Sequence, residues 1–257
     1  MKYRKELELL KGITKNIYSL SQTLDISSSF KGEQDIVTTT DLYIEKELIK
    51  KIKEDFPSDS FHTEEFNSKT LVQGRTWIID PIDGTSNYAS KLELYCIQIA
   101  LFDEGDIVLS YIYVPEFEKE YYAIKGYGAY KNGIKYNVDS YKTKTNFLIS
   151  MVGITIRDKD KTYYKKIIDY AMENKYKLRM LGSIGVELSY MSEGIFDLFY
   201  TNVTNIWDLY PGILLLKEAG AILVNETGES YSLGDENLFV FKNKQGFESL
   251  IDLLKRI

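Results

Sequence analysis

The segment Asp80-Pro81-Ile82-Asp83-Gly84-Thr85 carries the residues best suited to chemistry in this chain. It follows the apolar run Trp77-Ile78-Ile79, which reads as a buried strand, so two carboxylates are expected at a strand end with a turn between them. Pro81 fixes its own φ and stiffens the turn, and Gly84 lets the backbone approach a ligand closely. Thr85-Ser86-Asn87 suits the opening of a short helix, whose free N–H groups can cradle a phosphate. Carboxylate and carbonyl oxygens at such a turn are hard ligands of the kind Mg²⁺ takes. An Asp-rich capping turn needs neither metal nor phosphate and has a similar composition. The hydrophobic strand in front and Gly-Thr behind favour the chemical reading.

Two further acidic positions invite comparison with it. His62-Thr63-Glu64-Glu65 lies past a predicted strand and can bring a carboxylate to the same mouth, although paired glutamates alone read as a solvated surface. Asp208, after Trp207 and before Pro211, sits where a helix N-cap or first-turn acid is expected, and a plain cap explains it equally well. Cys96, in an apolar run, reads as a small core residue. The chain's one histidine, His62, reads as a strand-end residue. No Cys-His pairing suggests an enzyme nucleophile.

The elements that must position these groups follow from periodicity. Leu7, Leu10, Ile13, Ile17, Leu20 and Leu24 mark an amphipathic first helix, and the polar stretch from Ser27 to Gln34 reads as a loop. A second helix is predicted from about Thr39–Asp41 to Phe56-Pro57, then strands near 60–63 and 76–79. From Leu94 to Tyr136 strand follows strand, with Asn132-Gly133 as a type I′ hairpin turn. Beyond Phe147 strands (147–152, 177–181, 195–201) alternate with helices (162–172, one from Ser183, one near Asp208 stopping at Gly220). Tyr111, Tyr113, Tyr121 and Tyr122 read as residues filling and edging sheets. The expected class is α+β in an N-terminal part, 1–142, and α/β in a C-terminal part, 143–257, tightly packed as one unit.

Composition narrows the function. The 257 residues are 44% hydrophobic, enough for a sizeable core, and the net charge of -6 argues against nucleic acid or an anionic membrane as partner. A single cysteine fits a reducing compartment, and no apolar run approaches membrane-spanning length, so a cytoplasmic protein is expected.

Taken together, the segments resemble the inositol monophosphatase family. The resemblance is carried by Asp35-Ile36-Val37-Thr38-Thr39-Thr40-Asp41, Glu64-Glu65, Trp77 to Tyr88, and Trp207-Asp208 with Glu218-Ala219-Gly220, in that order. Leu181-Gly182-Ser183 adds a subsidiary match. The resemblance implies a layered αβαβα sugar-phosphatase fold, commonly assembled as a homodimer. It implies metal ligation by Glu64, Asp80, Asp83, Asp208 and the Ile82 carbonyl, with two or three Mg²⁺ ions. Asp41 and Thr85 would form the pair that orients the attacking water, with Glu64 also in the catalytic set. Lys31, Asp83, Gly84, Thr85, Gly182, Ser183, Thr201 and Asp208 would meet the substrate.

Four carboxylates in one pocket explain why metal is expected. At an effective dielectric near 20, each like-charged pair about 4 Å apart costs roughly 4 kcal/mol, before a phosphate adds its own charge. The implied reaction is hydrolysis of a small phosphate monoester, inositol monophosphate or a related polyol phosphate, by metal-activated water. Thr201 stands where inositol-preferring members carry a glutamate, and Ile184 where a small residue is usual. Fructose 1,6-bisphosphate, NADP and 3′-phosphorylated nucleotides therefore stay open as substrates. A regulatory binding protein using the same fold is the alternative of another class.

Overall fold

The second helix shows how local sequence sets the frame for the site. Thr38 stands at the N-cap in extended conformation, and Asp41 closes a capping box by accepting the Thr38 backbone N–H at 2.9 Å. The helix, α2 (Thr39–Asp55), then buries Ile44, Leu48 and Ile52 beside α1 (Arg4–Ser21). The structure is a computed structural model that describes residues 2–24, 27–30, 36–140, 147–153, 161–244 and 246–248. The boundary expected near residue 142 lies outside the described residues.

Strands β1 (Ser28–Phe30) and β2 (Ile36–Thr38) pair antiparallel. Strands β3 (Ser60–Thr63), β4 (Thr76–Asp83), β5 (Cys96–Asp103), β6 (Asp106–Val114), β7 (Lys119–Ile124), β8 (Gly128–Lys131) and β9 (Ile134–Tyr136) form one sheet in sequence order. Only the β3–β4 pair is parallel in this sheet. Its two faces are read from alternation. Trp77, Ile79, Ile97, Ile99 and Leu101 face α1 and α2, while Ile78, Cys96, Ala100 and Ile112 face the opposite core.

The second sheet has five strands, ordered β11-β10-β12-β14-β13. They are β10 (Leu148–Val152), β11 (Lys177–Arg179), β12 (Leu198–Thr201), β13 (Ile222–Val224) and β14 (Leu238–Phe241). Helices α5 (Ile184–Ser192) and α6 (Ile206–Ala219) lie between the sheets, sharing a core with Ile78, Cys96, Phe199 and Val240. Helix α4 (Lys161–Glu173) covers the outer face through Tyr164, Ile167 and Ala171 against Leu198, Tyr200 and Phe239. The layers thus run helix, sheet, helix, sheet, helix.

Several expectations are refined. The first helix stops at Ser21, so Leu24 lies beyond it and Leu20 is exposed. Part of the loop expected from Ser27 pairs as β1 with β2. Asn132 and Gly133 both have positive φ, 48° and 83°, between paired Lys131 and Ile134, as a type I′ turn requires. Strands β13 and β14 escaped the sequence reading, and Pro211 lies inside α6 rather than at its start. Among the described residues no helix is long and apolar enough to cross a membrane.

Candidate active site

Strand β4 does not end before the carboxylates; it continues through Asp83 with an irregularity in its pairing. Asp80 stands opposite Gln98 and Asp83 opposite Cys96, so three steps on β4 match two on β5. In a regular strand, residues three apart point to opposite faces. The extra residue is a bulge that brings both acids to the face of Ile78 and Cys96, toward α5 and α6. Asp208, in the first turn of α6, meets them there. One carboxylate oxygen from each of Asp80, Asp83 and Asp208 lies within 4.8 Å of the others.

Helix starts compensate part of this charge. Asp83 is tied to the first turn of α5: Oδ2 accepts from Ser183 Oγ at 2.5 Å and Gly185 N at 2.7 Å, and Oδ1 from Ile184 N at 3.1 Å. Burial still raises its pKa above the ordinary value, against the pull of these bonds. Asp80 has less help. Burial first, then the charges of Glu64, Asp83 and Asp208, hold its pKa well above the ordinary carboxylate range. Its Oδ1 is buried with no hydrogen-bond partner. A buried carboxylate oxygen left unpaired among other carboxylates is what a divalent cation would satisfy, and all-oxygen donors suit Mg²⁺. The residues fit the metal that the sequence implies.

Beyond β4 the chain turns at Gly84, whose φ of 88° suits glycine. A Cβ there would stand 2.9 Å from Ser183 Cβ, so Gly84 also allows the turn to pack on α5. The Thr85 hydroxyl opens α3 (Thr85–Ala89), 2.9 Å from the Ile82 carbonyl and 3.3 Å from Asp41 Oδ1. Asp41 is fully buried, its other oxygen accepts from Thr38, and burial raises its pKa. Glu64 follows β3, its backbone N–H donating to Ile79 at 3.2 Å.

A cavity of about 370 Å³ opens beside the carboxylates. Asp83, Asp208, Ser86, Asn87, Gly182 and Ile184 are among its lining residues. Two substrate-side expectations need correction. Ser183 is buried, and its hydroxyl serves Asp83 and the α5 N-cap instead of the cavity. Thr201 is fully buried, donating to Val152 O and accepting from Val203 N, both at 3.1 Å, so its hydroxyl is spent within the fold. Lys31 lies outside the described residues.

Other residues were missed. Asn87 Nδ2 donates to Leu94 O at 2.6 Å and Leu181 O at 2.7 Å, joining two loops at the cavity. Buried Glu187 accepts from Leu181 N at 2.7 Å, Gly182 N at 3.2 Å and the Ser150 hydroxyl. Its signal was one charge within Ile184-Gly185-Val186-Glu187-Leu188. Cys96 is buried as expected, but its Sγ also lies 3.4 Å from Asp83 Oδ2. Burial and the neighbouring acids push this thiol well up, which keeps it protonated and unfit as a nucleophile. His62 is buried in β3, bonded to Thr70 O at 2.6 Å and packed on Trp207.

The structure is thus a five-layered α/β protein with three clustered carboxylates between its sheets. The family model described as "Inositol monophosphatase family" matches residues 7–257, and the chain belongs to that family. An inositol monophosphatase of Dictyostelium discoideum is 33% identical over 224 residues, 84% of this chain and 80% of that one. A Thermotoga maritima protein named fructose-1,6-bisphosphatase/inositol-1-monophosphatase is 30% identical over 227 residues, 88% and 85% of the two chains. A solved structure described as an IMPase/NADP phosphatase complexed with Mg²⁺ and phosphate superposes with a TM-score of 0.84 at 24% identity, covering 98% of this chain and 96% of that one.

Proposed function

We propose that this chain hydrolyses a small phosphate monoester with Mg²⁺, inositol monophosphate being the first substrate to test. One observation carries the reading: the unpartnered, buried Asp80 Oδ1 within a three-carboxylate cluster at the wall of a cavity. Asp80, Asp83, Asp208, Glu64 and the Ile82 carbonyl would hold two or three ions. Bound Mg²⁺ would neutralise the carboxylates and lower the pKa of a water.

The chain's own groups do the rest. A Thr85 hydroxyl turned to Asp41 leaves an oxygen lone pair to accept a hydrogen bond from the attacking water. Backbone amides of Gly84 and Thr85 offer donors to phosphate oxygens. Gly182, Ile184 and Asn87 bound the space for the alcohol. The parts 1–142 and 143–257 act as one unit, the first supplying Glu64, Asp80 and Asp83, the second Asp208. A cytoplasmic homodimer completes the proposal; the single cysteine supports the compartment, and family resemblance the dimer.

The test is a hydrolysis panel of inositol 1-phosphate, fructose 1,6-bisphosphate, NADP and a 3′-phosphorylated nucleotide, with Mg²⁺ and with chelator. Hydrolysis of at least one ester, abolished by chelation, is expected. Turnover indifferent to chelation, or none on any ester, overturns the reading.

A further inference from the structure

We propose that Glu45 is a positioning residue for the metal site, acting through the turn that carries Glu64; the inference rests on the metal-dependent reading above. Helix α2 reaches the site twice. Asp41 and Glu45 are one helical turn apart, so their side chains lie on one face. Asp41 addresses Thr85, and Glu45 addresses the segment after β3.

Glu45 has no solvent exposure. Its carboxylate accepts from the Thr63 hydroxyl, from Glu65 N at 2.8 Å and from Phe66 N at 2.8 Å. Thr63 Oγ1 accepts in turn from Asn67 N and Asn67 Nδ2, both at 3.1 Å. A single buried carboxylate thus knots residues 63–67 around Glu64. On the other side, the Glu64 backbone is bonded to Ile79, the residue before Asp80.

The arrangement opposes a specific force. Glu64 and Asp80 directly follow Thr63 and Ile79, which pair across β3 and β4, so two like-charged acids stand on adjacent strands and repel. Left to itself, the turn would relieve that repulsion by swinging outward. Three donors converging on Glu45 resist the movement, and a carboxylate suits them because it accepts without donating. Holding Glu64 close before the cation arrives lowers the reorganisation that metal binding requires. Partners that orient ligands in this way commonly contribute 10–100-fold in metal affinity.

The test is Glu45→Gln. Gln keeps the shape but turns an NH₂ group toward backbone N–H donors, loosening the turn. The Mg²⁺ concentration for half-maximal hydrolysis should rise about tenfold. At saturating Mg²⁺, kcat should recover and KM for the ester should stay within about twofold. Without substrate, the Mg²⁺-induced rise in Tm should need about tenfold more Mg²⁺. Glu193→Gln serves as the stability control, because buried Glu193 binds Tyr121 and Lys131, each at 2.6 Å, and touches none of the site residues named here. It should lower Tm and leave the Mg²⁺ midpoint in place.

Thr63→Val, which removes one donor with little change of shape, should move the midpoint the same way by a smaller factor, and it decides the matter if Glu45→Gln does not fold. An unchanged Mg²⁺ midpoint in the folded variant overturns the inference, even if its kcat or Tm falls. A wild-type protein with neither hydrolysis nor a thermal response to Mg²⁺ instead overturns the metal-dependent reading, and this inference with it.

Discussion

Asp80→Asn should make the metal-free protein more stable while removing its response to Mg²⁺. With carboxylate oxygens no more than 4.8 Å apart, an ionised pair at an effective dielectric near 20 costs about 3.5 kcal/mol. Burial and the neighbouring acids raise the folded-state pKa of Asp80, which offsets part of that cost. A gain of about 1–2 kcal/mol is therefore expected at neutral pH, or roughly 2–8 °C in Tm for a chain of this size. The sign follows from linkage. A raised pKa contributes stability below the unfolded value and loses it as pH rises through the folded value, so the gain should grow toward alkaline pH. The asparagine amide can also donate to Asp83 or Asp208, whereas an ionised Asp80 can donate to neither. Thermal unfolding followed by circular dichroism, in chelator and over a Mg²⁺ series, measures both effects. Wild type at 100 times its Kd should gain about 2.7 kcal/mol from the ion, and the variant little. A lower Tm for the variant in chelator, or an undiminished Mg²⁺ response, would refute the account of Asp80.

Two other predictions concern residues beside the ligands. Thr85→Ala should lower kcat more than it changes KM, by about 10–100-fold if the hydroxyl orients the water; unchanged steady-state turnover would remove Thr85 and Asp41 from the reaction. Glu187, with its pKa raised from 4.5 to about 7 by burial, should stabilise the fold less and less as pH rises across that window. Relative to wild type, Glu187→Gln should flatten the fall in unfolding free energy by up to about 1.4 kcal/mol per pH unit. Parallel curves from denaturant titrations at several pH values would contradict this.

The resemblance and the acidic motif made much of the site legible, because Asp80, Asp83 and Asp208 carry chemistry in their residue type. Their supports were harder to read. Glu45 and Glu187 look like solvated helix acids until tertiary contacts bury them, since the donors they serve lie about twenty residues away or on the preceding turn. Ser183 and Thr201 were expected at the substrate, yet each hydroxyl had a backbone or carboxylate partner that only the packed fold supplies. In the fold, alternation marked β5 to β7 well. Ile222-Leu223-Val224 was too short to stand out as a strand before its pairing with β14 was seen.

The bulge in β4 makes the spacing of the motif a matter of phase. Inserting one residue between Cys96 and Gln98 would match three steps with three, restore a regular pleat and send one acid into the apolar layer under α1 and α2. The middle of the segment is freer in kind: Ile82 offers its side chain to that apolar layer and its main-chain oxygen to the Thr85 hydroxyl. Valine or leucine in its place should therefore be tolerated where loss of the bulge would not. A variant library across these positions would separate a ruler from a recognition element.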